Sequence, residues 1–173
     1  MDNRVYYGQY SLQHWIDLML KKNIILPDYQ RYFVWNENKV KTLIETFKKK
    51  QFVPPITVGA FKDEDEVSQN LILDGQQRLT SVLLAYLGLY PDPATFKNTL
   101  DQLKLANDND DEDDEDDYTL DNILKWDFRM LTEKGKNKQN ILSKIVENNY
   151  KKVDFNISDD FLRNTFLGFS YLV

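Results

Sequence analysis

The segment from Leu71 to Leu83, LILDGQQRLTSVL, constrains the fold of this chain more than any other. Its first three residues are apolar and predict a buried strand, which Asp74-Gly75 ends. Apolar residues then recur at the spacing of one helix face, at Leu79, Val82, Leu83, Tyr86 and Leu87. The sequence therefore predicts a strand, a tight turn and a helix, with the polar group Gly-Gln-Gln-Arg where the helix begins.

The start of a helix is a favourable place to bind an anion. The first N–H groups of a helix have no partners within the helix, and the helix dipole is positive there. Gly75 allows the backbone to approach a ligand closely, and Arg78 adds a cation with bidentate geometry for phosphate. This interpretation makes the turn a phosphate-binding corner.

A structural explanation of the same turn is equally compatible with the spacing. Asp-Gly is a common turn pair, and Arg78 fits an ordinary surface position in the first turn of a helix. The Gly-Lys-Ser/Thr ending of a P-loop and the three-glycine dinucleotide pattern are both missing. Any nucleotide site at this turn is therefore of another kind.

A second motif lies some forty residues upstream of the turn, in the segment ILPDYQRYFVW at residues 25–35. The two motifs in this order resemble the N-terminal domain of GmrSD-type restriction endonucleases, over about residues 10–90. That family is similar in turn to the ParB/sulfiredoxin fold. The resemblance implies an α+β protein with a small mixed sheet and packed helices, followed by a mostly helical C-terminal extension.

The resemblance also implies a nucleotide site. Its predicted nucleotide-binding residues are Tyr29, Gln30, Arg31, Gly75, Gln76, Gln77, Arg78 and Thr80. Its predicted catalytic residues are Asp74, Gln77 and Arg78. Arg31 would be a second phosphate cation, Gln30 a positioning group, and Asp74 a Mg²⁺ ligand or a positioner of the attacking water. In the alternative, Arg31 is a core-rim arginine that pairs with Asp28 or Asp74.

The function that the resemblance implies is regulatory. We expect a cytoplasmic domain of a bacterial anti-phage, modification-dependent restriction system that binds an NTP with Mg²⁺ and hydrolyses it. It would control a nuclease domain, downstream or on a partner, and the full system would act on modified DNA. The family's His-Asn-His nuclease is not expected here, because His14 is the only histidine and cysteine is absent. Two alternatives stay open: a ParB-like module that contacts DNA, and a scaffold without NTPase activity.

Charge divides the chain into parts. The net charge is −6, but residues 108–117 contribute nine negative charges, so the remainder carries +3. Such a run is typical of a solvated loop, and it lacks the glycine and glutamate positions of an EF-hand. We therefore predict a nucleotide-binding core at residues 1–93, a flexible acidic loop at 94–119, and a helical extension ending in a strand at 120–173.

Periodicity predicts the remaining elements. Ser11 and Asn36 are expected to cap helices, the first reaching about Lys22. Short strands are expected at residues 24–26 and 56–61, and an acidic tip at 63–66 is expected to separate the second of them from the strand at 71–73. Three further helices are expected over residues 120–131, 141–150 and 158–167. Gly88 is expected to end the helix that follows Gly75, and Gly168 the last of the three C-terminal helices. Residues 169–173 predict an apolar terminal strand. Because an exposed apolar strand at a natural terminus would risk aggregation, we expect the sequence to be part of a longer protein. No signal peptide or membrane-spanning run is apparent, so a soluble protein is expected.

Overall fold

A four-stranded mixed sheet forms the centre of the fold in the computed structural model, which describes residues 4–62, 68–96 and 124–173. The strands are β1 (Val5–Ser11), β2 (Ile56–Lys62), β3 (Ser68–Asp74), β4 (Leu89–Pro91), β5 (Tyr150–Lys152) and β6 (Phe166–Leu172). In the four-stranded sheet, β6 is antiparallel to β1 and parallel to β2, and β2 is antiparallel to β3, which gives the order β1-β6-β2-β3. The two short strands, β4 and β5, form a separate antiparallel pair. The predicted α+β class with a mixed sheet is confirmed.

The three longest helices of the described residues are α1 (Leu12–Leu20), α2 (Glu37–Lys48) and α3 (Gln76–Leu87). The predicted caps of the first two are present, since the Ser11 side chain accepts the N–H of His14 at 3.1 Å and that of Asn36 accepts the N–H of Lys39 at 2.8 Å. Gly88 ends α3 with φ of 68°, as predicted. Short helices in the C-terminal part are α4 (Arg129–Thr132), α5 (Lys138–Lys144) and α6 (Asp159–Asn164).

Helix α3 is the central helix of the domain. Ten of its 12 residues are buried, including Leu79, Leu83 and the polar Gln76 and Gln77 at its start. It packs against α1, α2 and β4, and its buried face continues into the core that contains Ile72 of β3. Because α3 is held on several sides, the position of its first turn relative to the end of β3 is fixed.

Several predicted elements are shorter than expected. The strand at residues 24–26 is reduced to a single bridge between Ile25 and Leu71. The described part of the predicted helix over 120–131 is irregular up to residue 127, and only α4 is helical. Helix α5 ends at Lys144, because Ile145 is extended with ψ of 153°, and Tyr150 begins β5. The spacing of leucine and isoleucine residues predicted helices that are too long, because this spacing carries no information about where the backbone leaves the helical conformation.

The strands nearest the two ends of the sequence, β1 and β6, differ most from the prediction. Strand β1 was not predicted, and the third C-terminal helix ends at Asn164, after which the chain turns into β6. Gly168 was expected to end that helix, but it lies within β6. The predicted terminal strand is present, and both of its edges are paired because β6 lies between β1 and β2. The predicted core at residues 1–93 thus receives an inner strand from residues 166–172.

Two predicted surface features lie in segments that the structure does not describe. The acidic tip at residues 63–66 lies outside the described residues, as does all but the first three residues of the predicted loop at 94–119. Within the described ranges, no helix has the length and apolar character required to cross a membrane.

Candidate functional site

A small polar cavity of about 100 Å³ lies where β3 ends and α3 begins. The turn after β3 forms one side of it, and the loop between α1 and α2 forms the other. Its lining residues are Gln30, Arg31, Trp35, Asp74, Gly75, Gln76, Gln77 and Arg78. The structure therefore brings the two sequence motifs together in one site, although they lie some forty residues apart.

The turn itself requires a glycine. Gly75 has φ of 99°, a left-handed conformation that L-residues with a side chain rarely adopt. A Cβ atom at this position would collide with the side chain of Ile56 and would lie 3.1 Å from Nη2 of Arg78. No side chain caps the helix at Gly75, and the first helical hydrogen bond runs from the N–H of Leu79 to the carbonyl of Gly75. The N-terminal N–H groups of α3 therefore remain available for an anion.

Arg78 is held in place beside this turn but is not fully satisfied. Its Nη2 donates to the carbonyl of Pro55 at 2.9 Å and to Oδ2 of Asp74 at 3.1 Å. The side chain of Arg78 is 15% exposed, whereas that of Asp74 is 71% exposed. The Nε atom of Arg78 is buried without a hydrogen-bond partner. A buried donor without a partner is uncommon, so this guanidinium has capacity for an added acceptor.

Arg31 is the second cation at the cavity. It is exposed and forms no ion pair with any residue in the described ranges. Asp28 pairs instead with Arg129 at 2.7 Å, and Asp74 pairs with Arg78. The alternative in which Arg31 pairs with Asp28 or Asp74 is therefore wrong. Its charge is available to a ligand in the cavity.

Glutamine side chains fasten the loop at residues 27–35 to the strand and the helix. Gln30 donates through Nε2 to the carbonyls of Ile72 and Leu73, at 3.3 and 3.1 Å. Gln76 donates through Nε2 to the carbonyl of Arg31 at 3.0 Å. Since the loop has no regular secondary structure of its own, these long-range bonds determine where Arg31 lies.

The side-chain amide of Gln77 makes three hydrogen bonds at this site. Its Nε2 donates to the carbonyl of Tyr32 at 2.9 Å and to Oε1 of Gln76 at 2.6 Å, and its Oε1 accepts the N–H of Val34 at 3.0 Å. Both amide hydrogens are therefore used within the protein. The predicted binding and catalytic roles of Gln77 stay predictions, and the geometry gives it a role in holding the loop.

The cavity offers one carboxylate to a divalent cation. Asp74 is the only acidic residue among those that line it, and no cluster of three metal-ligating side chains occurs in the described part of the chain. Mg²⁺ commonly binds through one or two carboxylates together with substrate phosphates and water. The residues present thus fit a cation that a phosphate ligand brings with it, rather than a site built by protein alone.

Comparison with known protein families identifies the domain. The family model for the GmrSD restriction endonuclease N-terminal domain matches residues 15–171. The chain belongs to this family. The match includes both motifs of the cavity and extends through β6, well beyond the residues 10–90 over which the motifs suggested it.

A curated relative of this GmrSD N-terminal domain is an uncharacterized protein of Methanocaldococcus jannaschii. It is 30% identical over a 126-residue alignment that covers 56% of this chain and 21% of the relative. The match thus spans about a fifth of the length of that relative. No solved structure matches the chain.

Two of the predicted site residues in this GmrSD N-terminal domain do not line the cavity. Tyr29 is 74% exposed on the loop outside it. Thr80 is completely buried one turn into α3, and its hydroxyl donates to the carbonyl of Gln76 at 2.7 Å. A direct ligand contact by Thr80 would require that bond to break. The roles of the other predicted residues stay predictions, but their side chains share one cavity.

Sequence reasoning missed two residues that shape the site. Trp35 lines the cavity, its carbonyl accepts the hydroxyl of Tyr90 at 2.7 Å, and the Nζ of Lys39 lies 5.2 Å from its ring centre. Trp35 was within the upstream motif, so its sequence position was a usable signal. Arg129 fixes Asp28 at the start of the same loop while also binding Asp127. No local pattern could reveal a pair separated by 101 residues.

Proposed function

We propose that this domain binds the phosphates of an NTP at the corner between β3 and α3 and that it hydrolyses the NTP. The proposal rests above all on one observation: two arginines border a cavity at a helix N-terminus, and among the described residues Arg31 has no ion pair and the buried Nε of Arg78 has no hydrogen-bond partner. A phosphate supplies the acceptor oxygens that both groups lack, in a geometry that arginine recognises well.

The size of the cavity supports binding of the phosphate end alone. Ligand pockets that enclose a whole small molecule usually measure about 300–1,000 Å³, whereas this cavity measures about 100 Å³. The base and the ribose would therefore lie outside it, over the exposed loop. Tyr29 and Tyr32 are exposed there and are available for stacking, whereas Phe33 is 4% exposed and belongs to the core.

Each group has a distinct role in the proposed reaction. Arg31 and Arg78 would stabilise the negative charge that develops on the transferred phosphoryl group. The exposed carboxylate of Asp74 would orient the attacking water or supply one oxygen to Mg²⁺, which neutralises phosphate charge when bound. Gln76 and Gln77 would keep the loop, and with it Arg31, at the correct distance from α3.

The wider role is part of the same proposal. Family membership supports a place in a restriction system, and we propose that the nucleotide state of this domain controls a nuclease domain, downstream or in trans. The target would be modified foreign DNA, and the setting the bacterial cytoplasm. Because the chain corresponds to about a fifth of the curated relative, the nuclease would lie in a part that this chain does not include.

Calorimetric titration tests nucleotide binding directly. The chain is titrated with ATP, GTP, CTP and UTP in the presence of MgCl₂. Arg31→Ala should weaken binding about tenfold or more, since a charge-assisted hydrogen bond contributes about 1.5–3 kcal/mol. Arg163→Ala is the matched control, because Arg163 is an exposed arginine on α6 that pairs only with the surface residue Asp160 among the described residues. Absence of binding to all four nucleotides would refute the proposal.

Two further measurements separate the alternatives. Release of inorganic phosphate should stop in Asp74→Asn while nucleotide affinity changes little, because Asp74 is needed for hydrolysis more than for binding. If the corner instead holds a DNA phosphate, duplex DNA will bind without nucleotide, and Arg31→Ala will reduce the salt dependence of that binding. If the corner serves only as a scaffold, Arg31→Ala will change neither nucleotide binding nor DNA binding, since the side chain of Arg31 is exposed.

A further inference from the structure

A second cavity, of about 310 Å³, lies between α1 and the face of the four-stranded sheet. Among the described residues, it shares no lining residue with the cavity at the turn between β3 and α3, which we call the phosphate corner. Its volume falls within the range of about 300–1,000 Å³ that small-molecule sites have. We call it the aromatic cavity, and its key lining residues are Tyr6, Tyr10, Trp15, Asn70, Phe169 and Tyr171.

The aromatic wall of this cavity is a packed group of rings. Tyr10 stacks on Phe169 with ring centres 4.6 Å apart and meets the edge of Trp15 at 5.3 Å. Phe169 can lie over β1 only because Gly8 is opposite it, since a Cβ on Gly8 would be 2.7 Å from Cζ of Phe169. The indole N–H of Trp15 is satisfied by the carbonyl of Leu167. The wall is therefore closely packed and presents ring faces and edges.

The polar side of the cavity is an amide with spare hydrogen-bonding capacity. Oδ1 of Asn70 accepts the hydroxyl of Tyr171 at 2.9 Å, and Nδ2 donates to the carbonyl of Asn23 at 3.3 Å. An asparagine amide has two donor hydrogens and two acceptor lone pairs, so one of each remains without a partner among the described residues. The two bonds hold the amide in one orientation, which suits it to read a ligand edge that carries both a donor and an acceptor.

The lack of charge among the described lining residues indicates which kind of ligand group the cavity accepts. None of the described residues that line the cavity is an acid, a lysine, an arginine or a histidine. A charged ligand group would lose its hydration there without gaining a partner, which is unfavourable. The group that enters is therefore neutral, whereas the phosphate corner is built for an anion.

We propose that the aromatic cavity binds a neutral planar heteroaromatic ring of the nucleobase type. Aromatic side chains that stack on a base, together with amide groups that bond to its edge, are the usual means by which proteins hold an unpaired base. The base comes either from a free nucleoside or from a nucleotide strand whose base is turned outward. This inference is independent of NTP binding at the corner.

Paired tyrosine variants test the proposal. Tyr6 and Tyr7 are neighbours on β1, but alternation along a strand puts them on opposite faces, and only Tyr6 lines the cavity. Both are exposed, by 51% and 81%, so either can be replaced by alanine with little effect on the core. The chain and both variants are titrated with adenosine, guanosine, cytidine and thymidine, and with short single-stranded oligodeoxynucleotides, by calorimetry.

Tyr6→Ala should weaken binding about 5- to 150-fold, the range expected for one lost base–aromatic stack, and Tyr7→Ala should leave it unchanged. Leu18→Trp, which fills the cavity from α1, should abolish binding, with thermal unfolding as the check on folding. Tighter binding of oligonucleotides than of nucleosides would identify the strand as the source. Arg31→Ala should have no effect on nucleoside binding, so failure at one site does not imply failure at the other. No binding of any base, or equal losses in Tyr6→Ala and Tyr7→Ala, would overturn the proposal.

Discussion

The phosphate corner and the aromatic cavity are built in opposite ways. The corner uses two short segments, an irregular loop and a helix start, which side-chain amides hold together. The aromatic cavity uses residues from all four strands of the sheet and from α1, and ring packing holds them. The corner carries two arginines and an aspartate, whereas no charged side chain lines the aromatic cavity among the described residues.

This difference predicts different responses to mutation. Hydrogen bonds from buried amides are directional, so loss of a single partner leaves a buried polar group unsatisfied. Packed rings tolerate small displacements, because dispersion contacts are numerous and individually weak. Point substitutions should therefore disrupt the corner more severely than the aromatic cavity.

Gly75→Ala should have the largest effect. The residue would combine φ of 99° with a collision against Ile56, and we expect a loss of about 3 kcal/mol in the free energy of unfolding. Urea denaturation measures it. Gly168→Ala is the control, since its Cβ would lie 3.6 Å from its nearest neighbours, an ordinary contact distance. Equal stability of the two variants would contradict the assigned geometry of the turn.

Gln77→Leu should be the next most severe. The carbonyl of Tyr32 and the N–H of Val34 would lose their partners, which we expect to cost about 2 kcal/mol in unfolding free energy. Faster amide hydrogen exchange at Val34 should accompany this loss. Gln51→Leu on the exposed surface should leave both quantities nearly unchanged. A loop that stays protected in Gln77→Leu would show that other contacts hold it.

Gly8→Ala tests the aromatic cavity in the same way. The added methyl would force the ring of Phe169 to shift, at a cost of about 1 kcal/mol, the lower end of the range for overpacking. Thermal unfolding reports the cost, and nucleoside titration reports the altered cavity. Nucleotide binding at the corner should be unaffected. A loss larger than that of Gln77→Leu would reverse the comparison between the two sites.

Glu37→Gln should have the smallest effect. A hydrogen bond from Lys41 holds the pKa of Glu37 below its ordinary value of 4.5. A lowered pKa contributes stability that is fully present above pH 4.5 and disappears as the pH falls through the folded-state pKa. The contribution should be no more than about 0.5 kcal/mol, because the pair is partly solvated. Denaturation should show a difference from wild type at pH 7, and the difference should shrink as the pH is lowered below 4.5.

The sequence was informative where the decisive contacts are local. Ser11 and Asn36 cap α1 and α2 within three residues of themselves, and Gly88 ends α3 through its own backbone conformation. The corner was predictable for a related reason, since its residues lie in two contiguous motifs. Asp74, Gly75 and Arg78 are positioned by one strand–helix turn, and only the motif order pointed to Gln30 and Arg31.

The remainder depends on contacts that leave no local pattern. Strand β1 is exposed along almost its whole length, so it lacks the apolar alternation of a half-buried strand. Its pairing with β6 joins Val5 to Leu172, across nearly the entire sequence. For the same reason the aromatic cavity could not be foreseen, because Tyr6, Asn70 and Phe169 meet only once the sheet has formed.

The inner position of β6 has a consequence for protein synthesis. During translation, β1 and β2 emerge from the ribosome long before residues 166–172, which must insert between them. Until then both strands have unpaired edges, and the nascent chain is open to mispairing or chaperone capture. The aromatic cavity and the final sheet therefore form together in a late step, whereas the β2–β3 pair and the turn at Gly75 need only the first half of the chain.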